Sequence, residues 1–250
     1  MRVLLAIPVY NEAQHVRAVL DEARRYIQDI LVLDDGSTDD TPVQLAQIPG
    51  ISIVRHPQNQ GYGQSLIDAF NFAICHRYDW IITMDCDGQH EPSFLPEFLL
   101  AARRGDGDII SGSRYMMVDQ QDGSPPPDRR AINAEITALL NSQLSLNLTD
   151  AFCGFKAYRV GALVALRLTE PGYAMPLQLW VHAVRRGLRI REIPVRLIYN
   201  DPNRSFGGPL DDAQFRRRHY LEVLDRAMTE EVGAMTGCYC MNVGECVCRC

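Results

Sequence analysis

The stretch Trp80-Ile81-Ile82-Thr83-Met84-Asp85-Cys86-Asp87-Gly88-Gln89-His90 passes directly from an apolar run into carboxylates. A short apolar run ended by turn residues reads as a buried strand. Here the strand is Asp79–Met84 and the carboxylates stand at its exit. Working back, Val3–Val9 is a first strand, followed by a helix over Glu12–Tyr26 with Val16, Val19, Leu20 and Ala23 on one face. Ile30–Leu33 and Ile51–Arg55 are further strands, separated by a short helix over Asp39–Ile48. A helix over Gly63–Arg77 carries Leu66, Ile67, Phe70 and Ile74. Working forward, Pro92–Arg103 is a helix and Asp108–Gly112 a fifth strand. Such alternation predicts an α/β fold with a mostly parallel central sheet flanked by helices on both faces.

The remainder is less regular. Met116–Arg130, with Gly123-Ser124-Pro125-Pro126-Pro127, is a loop. A helix over Ala131–Leu144, a strand-like Phe155–Tyr158, a helix over Met175–Arg186 and a half-exposed strand over Arg189–Ile198 come next. Asn200–Leu210 is a second polar loop, and Asp211–Met228 a last helix.

Sheets of this kind bind ligands at the carboxyl ends of their strands. Tyr10-Asn11-Glu12, Asp34-Asp35-Gly36-Ser37, Asp85-Cys86-Asp87 and Gly112-Ser113-Arg114 all fall at such ends. Asp85 and Asp87 offer two hard oxygen ligands to one divalent cation, with Gln89 and His90 in the next turn. Asp34-Asp35-Gly36-Ser37 is also what a turn with a helix cap looks like.

Bulk properties exclude several classes. With 46% hydrophobic and 22% charged residues the chain has the balance of a globular protein. A net charge of -6 speaks against nucleic acid as partner. Met1–Pro8 carries one positive charge and too short an apolar stretch for a secretory core, and no apolar run reaches membrane-spanning length. The expected location is the cytoplasm.

Three strings, Pro8-Val9-Tyr10-Asn11-Glu12, Val32 to Asp39 and Asp85 to His90, resemble in order and spacing the family 2 glycosyltransferases of the GT-A fold. The similarity extends to dolichyl- and polyprenyl-phosphate mannose and glucose synthases. It includes Asp85 to Pro92, Gly112-Ser113-Arg114-Tyr115, Asp150 with Gly154-Phe155-Lys156, and Glu192-Ile193-Pro194-Val195, over about residues 2 to 210. The resemblance implies an inverting hexosyltransferase using a GDP- or UDP-hexose donor and Mg2+ or Mn2+, with a lipid phosphate as acceptor. It gives Pro8, Tyr10, Glu12 and Asp35 to the nucleoside, Asp35 by accepting a base N–H. Asp85, Asp87 and Gln89 would hold the metal, with Arg114 on phosphate and Arg129, Arg130 and Arg204 as further candidates. Asp150 would be the general base if the acceptor were a hydroxyl, and would position sugar or acceptor if it were a phosphate. A soluble hydroxyl acceptor, or a silent nucleotide-binding module, are the alternatives.

Two features depart from the family pattern. Without membrane helices, a lipid acceptor would be met by peripheral contact at the inner membrane face. Arg216-Arg217-Arg218-His219 beside Phe215, Tyr220 and Leu221 is the candidate contact, although charge runs also make ordinary solvated faces. The late Arg204-Ser205-Phe206 loop lacks the Lys usual after its Ser. The domain expected over 1–229 is succeeded by a cysteine-rich tail over 230–250, with Cys238, Cys240, Cys246, Cys248 and Cys250, open to metal binding, disulfide linkage or disorder.

Overall fold

The computed structural model describes residues 1–116, 121–122, 125–199 and 205–230. Arg204 and residues 231–250 of the cysteine-rich tail lie outside the described residues. One seven-stranded sheet organises the fold. Its strands are β1 (Val3–Val9), β2 (Ile30–Asp34), β3 (Ser52–Arg55), β4 (Trp80–Thr83), β5 (Ile109–Ser113), β7 (Lys156–Arg159) and β8 (Ile190–Pro194). They lie side by side in the order β3-β2-β1-β4-β7-β5-β8. All neighbours are parallel except β7, which runs antiparallel to both β4 and β5. Continuous apolar runs in β1, β2 and β4 follow from burial on both faces. Leu4, Ala6, Leu31 and Ile81 face one layer, and Leu5, Ile7, Val32 and Ile82 the other.

The first layer holds α3 (Tyr62–Cys75), α5 (Pro127–Leu144), α6 (Val160–Leu163), α7 (Met175–Arg185) and α8 (Ala213–Thr229). The second holds α1 (Val16–Ala23) and α4 (Leu95–Arg104), with α2 (Thr41–Ala46) contributing Leu45.

Several boundaries differ from the sequence expectation for local reasons. Residues 12–15 form a turn, not helix: Glu12 donates its N–H to the Thr41 hydroxyl, and its carbonyl starts the first turn of α1. Pro127 belongs to α5 instead of the preceding loop. It sits at the first helical position, where a missing N–H costs nothing, with Pro126 extended before it. The expected single strand over Arg189–Ile198 is two pieces. Beyond β8, Leu197–Ile198 (β9) leaves the main sheet to pair with Gln121–Asp122 (β6), inside what reads as a loop.

The antiparallel β7 has the largest consequence for function. It brings its starting end, and the Thr149–Phe155 segment before it, to the edge where β1, β2, β4 and β5 finish.

Candidate active site

Four strand ends build the site. After β1, Asn11 takes a left-handed conformation (φ 57°) and donates its N–H to the Ser37 hydroxyl. Its side-chain oxygen accepts from the Thr38 and Asp39 N–H groups. The Tyr10-Asn11-Glu12 loop is thereby laced to the loop after β2, with Tyr10 exposed, Glu12 buried and Pro8 half-buried in β1.

After β2, the expected turn is present: Asp34 Oδ1 accepts from the Ser37 N–H, and Arg55 Nε lies 3.1 Å from Asp34 Oδ2. Asp35 is buried and does more. Its Oδ1 accepts from His56 Nδ1 at 2.6 Å and from the Gln60 N–H at 2.7 Å, and its Oδ2 from the Gly61 N–H at 2.9 Å.

After β4, Asp85 Oδ1 accepts from the Tyr62 hydroxyl at 2.9 Å, and its N–H donates to His90 Nδ1 at 3.0 Å. Asp87 accepts from the Gln89 N–H at 2.9 Å, which closes the turn carrying the expected metal ligands. Burial first, and the Asp85 charge second, push the Tyr62 phenol well above its ordinary value, so it stays a donor. The start of β7 packs against this corner. Thr83 donates its hydroxyl to the Gly154 carbonyl, and a Cβ on Gly154 would stand 2.7 Å from Tyr62 Oη and 2.8 Å from Asp85 Oδ1.

After β5, Arg114 and Asp150 meet each other. Arg114 Nε donates to Asp150 Oδ2 at 2.7 Å and Nη2 to Oδ1 at 2.9 Å, and the Phe152 N–H also reaches Oδ1. Burial alone would raise the Asp150 carboxyl, but the Arg114 guanidinium overrides it and holds it below its ordinary value. Glu192 on β8 fixes the loop from the other side, accepting from the N–H groups of Thr149 and Asp150. The buried Lys156 ammonium donates to the Cys153 carbonyl, and burial lowers its proton affinity.

Among the described residues no group of three or more His, Cys, Asp or Glu converges as a self-sufficient metal cage. Asp85 and Asp87 nevertheless fit Mg2+ or Mn2+, which take a few hard carboxylate oxygens and keep water and substrate phosphate as further ligands.

Arg129 and Arg130 open α5. Arg129 lies 4.4 Å above the Phe206 ring, and Arg130 5.9 Å from the Tyr115 ring. The basic cluster on α8 is largely spoken for. Arg216 is buried and reaches Asp128 at 2.6 Å, Arg217 forks onto Glu135, and Arg218 lies 3.9 Å from Glu222. Among the described residues no helix is long and apolar enough to cross a membrane.

Tyr62, His56 and Asp68 were not singled out by the sequence reading. The Gly61-Tyr62-Gly63 triplet is the signal that could have flagged Tyr62. A Cβ on Gly61 or Gly63 would collide with the Pro171 or Glu170 carbonyl, so the chain must pass tightly there.

Comparison with known proteins agrees with this fold. The model for glycosyl transferase family 2 matches residues 5–167. An undecaprenyl-phosphate mannosyltransferase of Micrococcus luteus is 32% identical over 218 residues, covering 82% of this chain and 87% of that protein. The low-salt glycan biosynthesis hexosyltransferase Agl6 of Haloferax volcanii is 26% identical over 76% of this chain and 46% of its own length. Glucosyl-3-phosphoglycerate synthase from Mycobacterium tuberculosis, crystallised with Mn2+, UDP and glucosyl-3-phosphoglycerate, shares the fold. Its TM-score is 0.71 at 20% identity, over 91% of this chain and 80% of that one.

Proposed function

The chain belongs to glycosyl transferase family 2, and from that premise we propose that it moves a mannose or glucose from a GDP- or UDP-hexose to a polyprenyl phosphate. The relationship to the Micrococcus luteus undecaprenyl-phosphate mannosyltransferase supports the acceptor class. The observation that carries it is the Arg114–Asp150 pair. A hydroxyl acceptor needs a base to take its proton during attack. Asp150, the carboxylate available for that role, has both oxygens held by Arg114 and its proton affinity lowered, which makes it a poor base. A phosphate oxygen is already anionic and needs none.

Roles for the remaining residues are those that the family likeness implies, and their places on the strand ends support them. Pro8, Tyr10, Glu12 and Asp35 bind the nucleoside at the ends of β1 and β2. Asp85, Asp87 and Gln89 hold Mg2+ or Mn2+, whose chemistry is to neutralise the departing diphosphate. Arg114, aimed by Asp150, is not fully buried, its side chain being 20% exposed. It meets the acceptor phosphate. Attack from the side opposite the diphosphate inverts the anomeric carbon. The catalytic unit is residues 1–229. Contact with a membrane face falls to the exposed Phe215 with Arg217 and Arg218, whose ion pairs with Glu135 and Glu222 are solvent-exposed, because Arg216 is buried against Asp128.

The test supplies purified protein and Mn2+ with labelled GDP-mannose or UDP-glucose, and offers undecaprenyl phosphate, undecaprenol or 3-phosphoglycerate. Label entering only the undecaprenyl phosphate fraction is expected. Label entering a hydroxyl acceptor, with none in the lipid phosphate, overturns the proposal.

A further inference from the structure

His56 lies just after β3, outside every sequence motif of the site, and is only 5% exposed. Both of its ring nitrogens meet carboxylates. Nδ1 lies 2.6 Å from Asp35 Oδ1 and Nε2 lies 2.9 Å from Asp68 Oδ2 on α3. Ionised carboxylates only accept, whereas a neutral imidazole carries a single N–H. A ring between two such acceptors therefore holds both protons. Asp68 is itself braced, since its Oδ1 accepts from the Gln64 side chain one turn away. The other charges nearby are Asp34 and Arg55, which face each other at 3.1 Å, and the Asp34 carbonyl accepts the His56 N–H.

The contacts continue past Asp35. Its Oδ2 accepts the Gly61 N–H, Gly61 precedes Tyr62, and the Tyr62 hydroxyl holds Asp85. One connected path therefore runs Asp68, His56, Asp35, Gly61, Tyr62, Asp85, from the flank of α3 to the metal-binding carboxylate.

We propose that His56 is a positioning residue of the donor site, donating from both ring nitrogens to fix Asp35 for the nucleoside and to seat the Gly61–Tyr62 segment that holds Asp85. This role rests on the assignment of Asp35 and Asp85 to the donor site. Without the His56 charge, two buried carboxylates would face one another and one would take up a proton. Asp35 would then offer the nucleoside a different hydrogen-bonding partner. The two acceptors, Asp35 first and Asp68 second, push the imidazole up to about 9 against its burial.

The experiment compares wild type, His56→Gln and Asp68→Asn. Side-chain NMR of the ligand-free proteins follows the His56 ring, assigned by its loss in His56→Gln. Calorimetry at pH 7 follows the affinity for GDP and UDP with Mn2+. In the wild type the ring is expected to titrate near 9, and in Asp68→Asn at a distinctly lower pH. With folding intact by circular dichroism, His56→Gln is expected to bind the preferred nucleotide about 10-fold or more weakly, as losses of outer-shell partners do. A wild-type ring titrating at or below 6.5, or unchanged affinity in a folded His56→Gln, overturns the positioning role. Asp68→Asn keeps the titration test alive should His56→Gln not fold. A wild type that binds neither nucleotide while its ring titrates near 9 overturns the donor-site assignment instead.

Discussion

Arg114 and Asp150, 36 residues apart in the chain, form a two-pronged ion pair in which each donor–acceptor distance is under 3 Å. A carboxylate expected to be a base for a hydroxyl acceptor or a positioning group for a phosphate, and a guanidinium expected to grip phosphate, are thus one unit. Removing either partner strands a buried or half-buried charge, which costs about 3 kcal/mol. Arg114→Met and Asp150→Asn should each lower stability by that order in urea unfolding. The double variant should lose at least about 1 kcal/mol less than the sum of the two, because the second change removes the stranded partner. Strict additivity would mean that the pair contributes nothing.

Gly154 is where the segment leading into β7 presses on Asp85, the proposed metal ligand. Its backbone is not in the left-handed region, so alanine meets no conformational objection there. The objection is contact: a Cβ would meet both oxygens of Asp85 and the Tyr62 hydroxyl. Gly154→Ala should therefore fold but displace Asp85, weakening Mn2+ by about 10-fold or more. Isothermal titration with Mn2+ in the presence of nucleotide reads this directly, and wild-type affinity would refute the contact argument.

The first half of this fold can be read along the chain because β1, β2 and β4 are buried on both faces and announce themselves as apolar runs. Their ends carry the polar clusters, so the strand-end corners proposed for nucleoside and metal were legible with them. What could not be read was pairing. Phe155–Tyr158 looks strand-like, but nothing in its residues says that it runs antiparallel between β4 and β5, and that direction is what delivers Asp150 to Arg114 and Gly154 to Asp85. The break after β8 was hidden because Val195-Arg196-Leu197 continues the same alternation while changing sheets. His56 was invisible for a simpler reason: a single histidine acquires meaning only from the two carboxylates that folding places around it.

Metal and nucleotide should bind as a pair. Melting temperature should rise with GDP or UDP only when Mn2+ is present, ADP serving as control. Saturation at about 100 times Kd corresponds to roughly 2.7 kcal/mol of added stability. Asp87→Asn removes a hard ligand and should abolish both the Mn2+-dependent rise and transfer. Full transfer by that variant would end the case for Asp87 as a metal ligand.

The alkaline side of the stability profile should belong to His56. Its folded-state value is raised to about 9, above the 6.5 of a free imidazole. A raised group stabilises fully below its unfolded value, and the contribution is lost as pH climbs through the folded one. Melting temperature should therefore decline between about pH 7 and 10. Asp150 and Asp108 behave oppositely: both carboxyls are held down, burial being overridden by Arg114 in one case and by bonds from Arg189 and Arg159 in the other. Their contribution is present above the ordinary carboxyl range and lost on acidification. His56→Gln should melt at a lower temperature at pH 7 and show a shallower decline than the wild type between about pH 7 and 10. Equal alkaline slopes in the two proteins would show that the decline arises elsewhere.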